Sequence, residues 1–89
     1  MRLEVAKFAS FMENRLAQHD AERGDSWRRE NAVYLLRRLR EEVAELETAL
    51  ECDRNWPDAV TAEAADVANI AMMLADNYAR RFDPALRGA

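Results

Sequence analysis

The sequence is poor in the residues that make tight turns and crosslinks. Two glycines and two prolines in 89 residues leave few places for a sharp reversal of the chain. Cys52 is the only cysteine, so no disulfide can form within the chain. Strand signals are missing as well. There is no period-two alternation, no Asn-Gly or Asp-Gly pair, and no internal repeat of about 20–50 residues, which argues against hairpins and solenoids. In and around the acidic segment 40–70, the longest stretch free of charge is the nine residues Val67–Ala75, against about 20 for a membrane-spanning helix. Glu4 and Lys7 interrupt any apolar region of a signal peptide. A basic excess is also lacking, since the net charge is −4, which disfavours a nucleic-acid partner. These absences together predict a soluble cytoplasmic protein with no membrane and no nucleic acid among its partners.

What the chain does contain is alanine, leucine, glutamate and arginine, a mixture that favours helices. Its length fits one domain spanning residues 1–89, with a loose tail at 84–89. A first helix is expected from about Leu3 to about Asp20, with Val5, Phe8, Met12, Leu16 and His19 on one face and Phe11 at its edge. Gly24 marks a break, and Asp25 or Ser26 is placed to cap the next helix. This second helix is expected from about Glu30 to about Asp53. Its apolar positions Ala32, Leu36, Leu39, Val43, Leu46 and Leu50 alternate steps of four and three, a heptad-like seam. Pro57 suits the first turn of a third helix, with Asn55 or Trp56 just before it. That helix should run to about Phe82, where Asp83-Pro84 stops it. The expected fold is all-α: a hairpin of the second and third helices, with the first packed across it. So short a chain buries a modest core, so a homo-oligomer is expected.

Two acidic motifs sit at the heart of this hairpin. The first is Glu42-x-x-Glu45, with Glu41 beside it, and the second is Glu63-x-x-Asp66, followed by Asn69. A spacing of three puts the two acids of each motif roughly 60° apart around a helix, on one side. Two such helices side by side gather four carboxylates. Val60, Val67, Ile70, Met73, Leu74 and Tyr78 all project within about 80° of Glu63, and Asp66 falls in the same arc. The second motif therefore lies within an apolar face, whereas Glu42 and Glu45 flank theirs. A carboxylate in such a place must be neutralised, paired or bound to a cation.

A cluster of hard oxygen donors suits magnesium, with manganese as a substitute. Di-iron bundles use Glu-x-x-His motifs for nitrogen ligands. The only histidine here, His19, is far from both motifs in sequence, which argues against iron. No serine, cysteine or histidine nucleophile stands near the motifs, so direct attack by water is expected in any hydrolysis.

Leu39-Arg40-Glu41-Glu42-Val43-Ala44-Glu45-Leu46 and Glu63-Ala64-Ala65-Asp66-Val67-Ala68-Asn69 resemble the MazG-like branch of the all-α nucleoside triphosphate pyrophosphohydrolases. The phenylalanine-bearing first helix and the Gly24-Asp25-Ser26-Trp27 turn are similar to short members of that branch, and the resemblance covers about residues 3–82. It implies hydrolysis of a nucleoside or deoxynucleoside triphosphate between the α and β phosphates, giving a monophosphate and pyrophosphate, as in the clearing of non-canonical nucleotides. It implies magnesium held by Glu42, Glu45, Glu63 and Asp66, which are then both the metal ligands and the catalytic acids. It also implies a dimer or tetramer in which neighbouring subunits complete a helix bundle.

Other residues carry two readings each. Asn69 is a candidate substrate contact or a packing hydrogen bond, and Asn77 shares that ambiguity. Trp27 is a candidate to stack on a base or a packing residue after the turn, while Trp56 reads as an anchor for the interhelix loop. Glu41 reads as a solvated helix residue and His19 as the end of the first helix. Lys7, Arg15, Arg28, Arg29, Arg38 and Arg54 are candidates for phosphates that the sequence does not rank. The competing functional reading is a non-catalytic helical module, for nucleotide binding or protein interaction, whose acids pair across an interface with arginines such as Arg37, Arg38 and Arg40.

Overall fold

The computed structural model of the chain describes residues 1–52, 57–83 and 85. They form α1 (Leu3–Gln18), a single 3-10 turn η1 (Ser26–Arg29), α2 (Ala32–Glu51) and α3 (Pro57–Phe82). No strand occurs among the described residues, so the fold is all-α. Asp53, Arg54, Asn55, Trp56, Pro84 and residues 86–89 lie outside the described residues. The roles expected of Arg54, Asn55, Trp56, Pro84 and the tail fall there too.

The turn between α1 and α2 differs from expectation. Helix α1 stops at Gln18 with His19 as its C-terminal cap, and the chain winds on through bonds from Arg23 N–H to the His19 carbonyl (2.8 Å) and Gly24 N–H to the Asp20 carbonyl (3.0 Å). Gly24 sits at φ +49°, a left-handed conformation that glycine adopts without steric cost. Asp25 precedes η1 and makes no side-chain cap. The cap of α2 is Asn31, whose Oδ1 accepts from the Tyr34 N–H at 2.8 Å, so α2 begins at Ala32. The unforeseen η1 (Ser26–Arg29) occupies the approach to α2, just before Glu30, where the sequence pattern expected the second helix to begin.

Helices α2 and α3 pack most extensively, and α1 and η1 lie against α3. The pairing of α2 and α3 is antiparallel. Leu35 meets Ile70 and Met73 toward one end, and Glu42 and Glu45 meet Glu63 toward the other. Leu35, Ile70 and Met73 form the core, with Leu16, Trp27, Leu39, Met72 and Leu74 packed against it. Burying each such aliphatic side chain stabilises the fold by about 1.5–3 kcal/mol.

The seam on α2 is rotated from the expected one. Leu35, which the heptad pattern omits, is the buried residue of α2, while Leu36, Val43 and Leu50 are 41%, 45% and 56% exposed. The physical reason is that α2 has two adjacent apolar strips. Leu35 and Leu39 pack with Ile70 and Met73 of α3, and Leu36, Val43 and Leu50 turn past it, so one partner helix covers only the first strip. A similar surplus exists elsewhere. No residue of α1 is buried, and Val5, Phe11 and Tyr78 are exposed, although the sequence pattern places them on or beside inward faces. No helix among the described residues is long and apolar enough to cross a membrane.

Candidate functional site

Antiparallel packing brings the two acidic motifs to the same level of the hairpin. One carboxylate oxygen from each of Glu42, Glu45 and Glu63 can be chosen so that all three lie within 4.8 Å of one another. Glu42 and Glu63 are half-buried and Glu45 is exposed. The Oε2 atoms of Glu42 and Glu63 are buried and accept no hydrogen bond among the described residues. Two buried carboxylate oxygens without donors are costly unless a cation or proton reaches them. The Glu42 carboxyl is accordingly pushed up from 4.5 to about 7, by burial first and then by the charge of Glu45. Burial also raises Glu63, and its contact with Glu45 adds to the effect. Glu41 is exposed, in keeping with a solvated residue.

Asp66 stands beside this cluster but is differently engaged. Arg15 of α1 donates from Nε to Oδ1 at 2.9 Å and from Nη2 to Oδ2 at 2.7 Å. This two-pronged pair ties α1 to α3, with side-chain exposures of 27% and 19%. None of Arg37, Arg38 and Arg40 forms an ion pair with the four acids among the described residues. Asn69, one turn along α3, is 4% exposed. Its Nδ2 donates to the Met12 carbonyl at 3.0 Å, which realises the packing reading, yet its Oδ1 is buried with no partner.

Three of the four acids, all but Glu63, open onto a cavity of about 270 Å³. Glu42, Glu45, Asp66 and Asn69 line it on the acidic side, Arg15, Arg23 and Arg38 bring positive charge, and Trp27 with Ile70 and Met73 forms an apolar wall. Trp27 therefore both packs on the core and faces the cavity. Asn77 Nδ2 donates to the Trp27 carbonyl at 2.9 Å, and the guanidinium carbons of Arg80 and Arg28 lie 5.0 and 5.5 Å from its ring centroid. Asp76 pairs with Arg80 in turn. His19 and Ser26 also line the cavity that Glu42, Glu45 and Asp66 line. No hydrogen bond joins them among the described residues.

Spacing along the chain located the three glutamates but not the arginines. Arg23 carried no signal at all. Arg15 did carry one, because it falls seven residues after Phe8 and three after Met12, within the apolar arc of α1. A charged residue inside an apolar face is informative whatever its sign. Lys7, Arg28 and Arg29 do not line this cavity.

The donor set fits a magnesium- or manganese-like ion: clustered carboxylates, two of them with buried oxygens that lack donors. Compared with known protein families, curated proteins and solved structures, the chain matches none.

Proposed function

We propose that this chain is a magnesium-dependent nucleoside or deoxynucleoside triphosphate pyrophosphohydrolase of the MazG-like kind, acting in nucleotide-pool cleaning and assembling as a homo-oligomer. One observation carries the reading: Glu42, Glu45 and Glu63 converge, the buried oxygens of Glu42 and Glu63 lack donors among the described residues, and Glu42 and Glu45 line a cavity whose other walls are cationic and aromatic. Glu42, Glu45 and Glu63 would hold the ion, with Asp66 as the fourth acid. A bound magnesium ion would neutralise phosphate charge and lower the pKa of a water molecule.

The chain's own residues divide the remaining work. Arg23 and Arg38 offer charge to the phosphates, and Arg15 joins them when it leaves Asp66. Trp27, whose carbonyl Asn77 holds, offers a flat apolar face to a base, where stacking is worth about 1–3 kcal/mol. Asn69, whose Oδ1 is buried without a partner among the described residues, lines the same cavity. The cavity, about 270 Å³, is slightly smaller than typical ligand pockets of about 300–1,000 Å³. It suits part of a nucleotide, with the rest lying along its rim or against a second copy of the chain. The exposed strip Leu36, Val43 and Leu50 supports such an assembly.

A second reading has one specific observation in its favour. The pairing of Asp66 with Arg15 is how a non-catalytic helical module would neutralise an acid. Hydrolysis in oxygen-18 water separates the two. A panel of nucleoside triphosphates with magnesium should release pyrophosphate and place the label on the monophosphate. Label in orthophosphate, with a diphosphate as co-product, would mean the triphosphate sits in another register. No turnover of any triphosphate would leave the binding module.

A further inference from the structure

Arg15 is the charged residue most deeply committed to the acidic centre. Three of its nitrogens are engaged: Nε and Nη2 on Asp66, and Nη1 on Gln18 Oε1 at 3.0 Å. The hydrogen bond to Asp66 holds its guanidinium more firmly charged than usual, against the opposing effect of burial, and the nearby charges of Asp66, Glu63 and Glu42 add to the hold. It thus balances part of the negative charge of the whole cluster, not of Asp66 alone. Both Asp66 oxygens are taken by this one group. An ion that used Asp66 as a ligand would have to displace at least one of the two bonds. It would also bring two positive charges up against a third, which repel strongly at such distances.

There is room for the guanidinium to leave. Arg15 lines the cavity of about 270 Å³ beside the glutamates. It also lines a second cavity of about 220 Å³, with Phe11, Asn14, Gln18, Asp58 and Thr61. Independently of the acids, Asn69 points to a ligand at the same place. It is 4% exposed, its Oδ1 is buried without a partner, and it lines the first cavity next to Asp66 and Arg15.

We propose that Arg15 is a resident counter-ion for Asp66 that competes with the divalent cation, so that binding the cation transfers the arginine from Asp66 to the nucleotide cavity. This rests on the reading of the glutamates as a metal site. Cation binding and presentation of a phosphate-binding arginine become one event. The protein then offers Arg15 to a triphosphate only when the cation is in place. In this role Arg15 is a positioning residue for metal uptake, not a ligand of the metal.

Calorimetric titration of the purified full chain with Mn²⁺, in the absence of nucleotide, tests this. Arg15→Ala should bind Mn²⁺ about tenfold more tightly than wild type, equivalent to about 1.4 kcal/mol, although it melts lower in EDTA because α1 loses its tie. Arg15→Lys keeps the charge without the two-pronged geometry and should fall between the two. In wild type, the Arg15 Nε–H resonance should move when diamagnetic Mg²⁺ is added, and this signal decides the matter if Arg15→Ala does not fold. Equal or weaker Mn²⁺ binding by Arg15→Ala, or an Nε–H signal unmoved by saturating Mg²⁺, overturns the exchange while leaving the glutamate site intact. Failure of both wild type and Arg15→Ala to bind Mn²⁺ overturns the metal site itself and the exchange with it.

Discussion

Replacing Glu42 with glutamine should stabilise the protein in the absence of divalent cations and weaken it, relative to wild type, in their presence. The Glu42 carboxyl has a buried oxygen without a donor and is raised from 4.5 to about 7, by burial first and by Glu45 next. The folded state therefore holds a proton that the unfolded chain releases near pH 4.5. Stability from this group is fully present below about pH 4.5 and is lost as pH rises through about 7. At pH 8 the whole cost is felt. A rise of that size corresponds to at most about 3 kcal/mol. Glu42 is only half-buried, and solvent screening reduces the figure to about 1–2 kcal/mol. Glutamine removes the charge and supplies an N–H donor for Glu45 or Glu63. For a domain of this size about 1 kcal/mol moves the melting temperature by about 4–8 °C.

The assay is a set of thermal melts at fixed protein concentration. In EDTA at pH 8, Glu42→Gln should melt about 5–10 °C above wild type, and at pH 4.5 the two should nearly coincide. With Mn²⁺ at about a hundred times its Kd, wild type should gain about 2.7 kcal/mol and the variant much less. The reasoning fails if Glu42→Gln melts at or below wild type in EDTA at pH 8. It fails equally if both proteins gain the same from Mn²⁺.

Asp66→Asn should have the opposite sign in EDTA, a loss of about 1–3 kcal/mol, because it removes a charge-assisted pair and strands Arg15; chemical denaturation in EDTA at pH 8 measures it. Leu35→Ala should cost about 2–5 kcal/mol by the same method, whereas Leu36→Ala, one residue along and 41% exposed, should cost far less within a single subunit. Val43→Glu should shift light-scattering mass from oligomer toward monomer at micromolar concentration, and an unchanged mass would remove Val43 from the proposed interface. Trp27→Ala should raise KM for the best triphosphate substrate about tenfold or more, consistent with loss of about 1–3 kcal/mol of stacking, and steady-state kinetics of pyrophosphate release checks it.

The helices were legible because their signals are local. Periodicity along α1, α2 and α3 needs only residues within a few turns of one another, and Pro57 marks the start of α3 within its own sequence. The turn was not legible in the same way. Gly24 announced a break, but whether Asp25, Ser26 or Asn31 caps α2 depends on η1, and η1 is positioned by α3. Asn77, 50 residues from Trp27, holds the Trp27 carbonyl. The rotated seam on α2 has a related cause. A sequence with two neighbouring apolar strips does not say which strip α3 covers and which is left at the surface. Leu35 and Leu36 look alike until a partner helix chooses between them.

The site divides along the same line. Glu42, Glu45 and Glu63 were found because a spacing of three on each helix, and one hairpin between them, are enough to bring them together. Their need for neutralisation was legible too, since Glu63 interrupts an apolar arc. What supplies that neutralisation was not. The sequence offered Arg37, Arg38 and Arg40 as counter-charges across an interface, and did not single out Arg15 for Asp66 within the chain. The folded protein uses Arg15 for Asp66, across 51 residues, because α1 crosses α3 at that level. A two-pronged arginine satisfies one carboxylate well, and it makes no hydrogen bond to the orphaned oxygens of Glu42 and Glu63. The four acids are therefore not equivalent: among the described residues one is ion-paired with an arginine, and three converge with no ion pair. That inequality gives opposite signs for Asp66→Asn and Glu42→Gln in EDTA, which four interchangeable ligands would not produce.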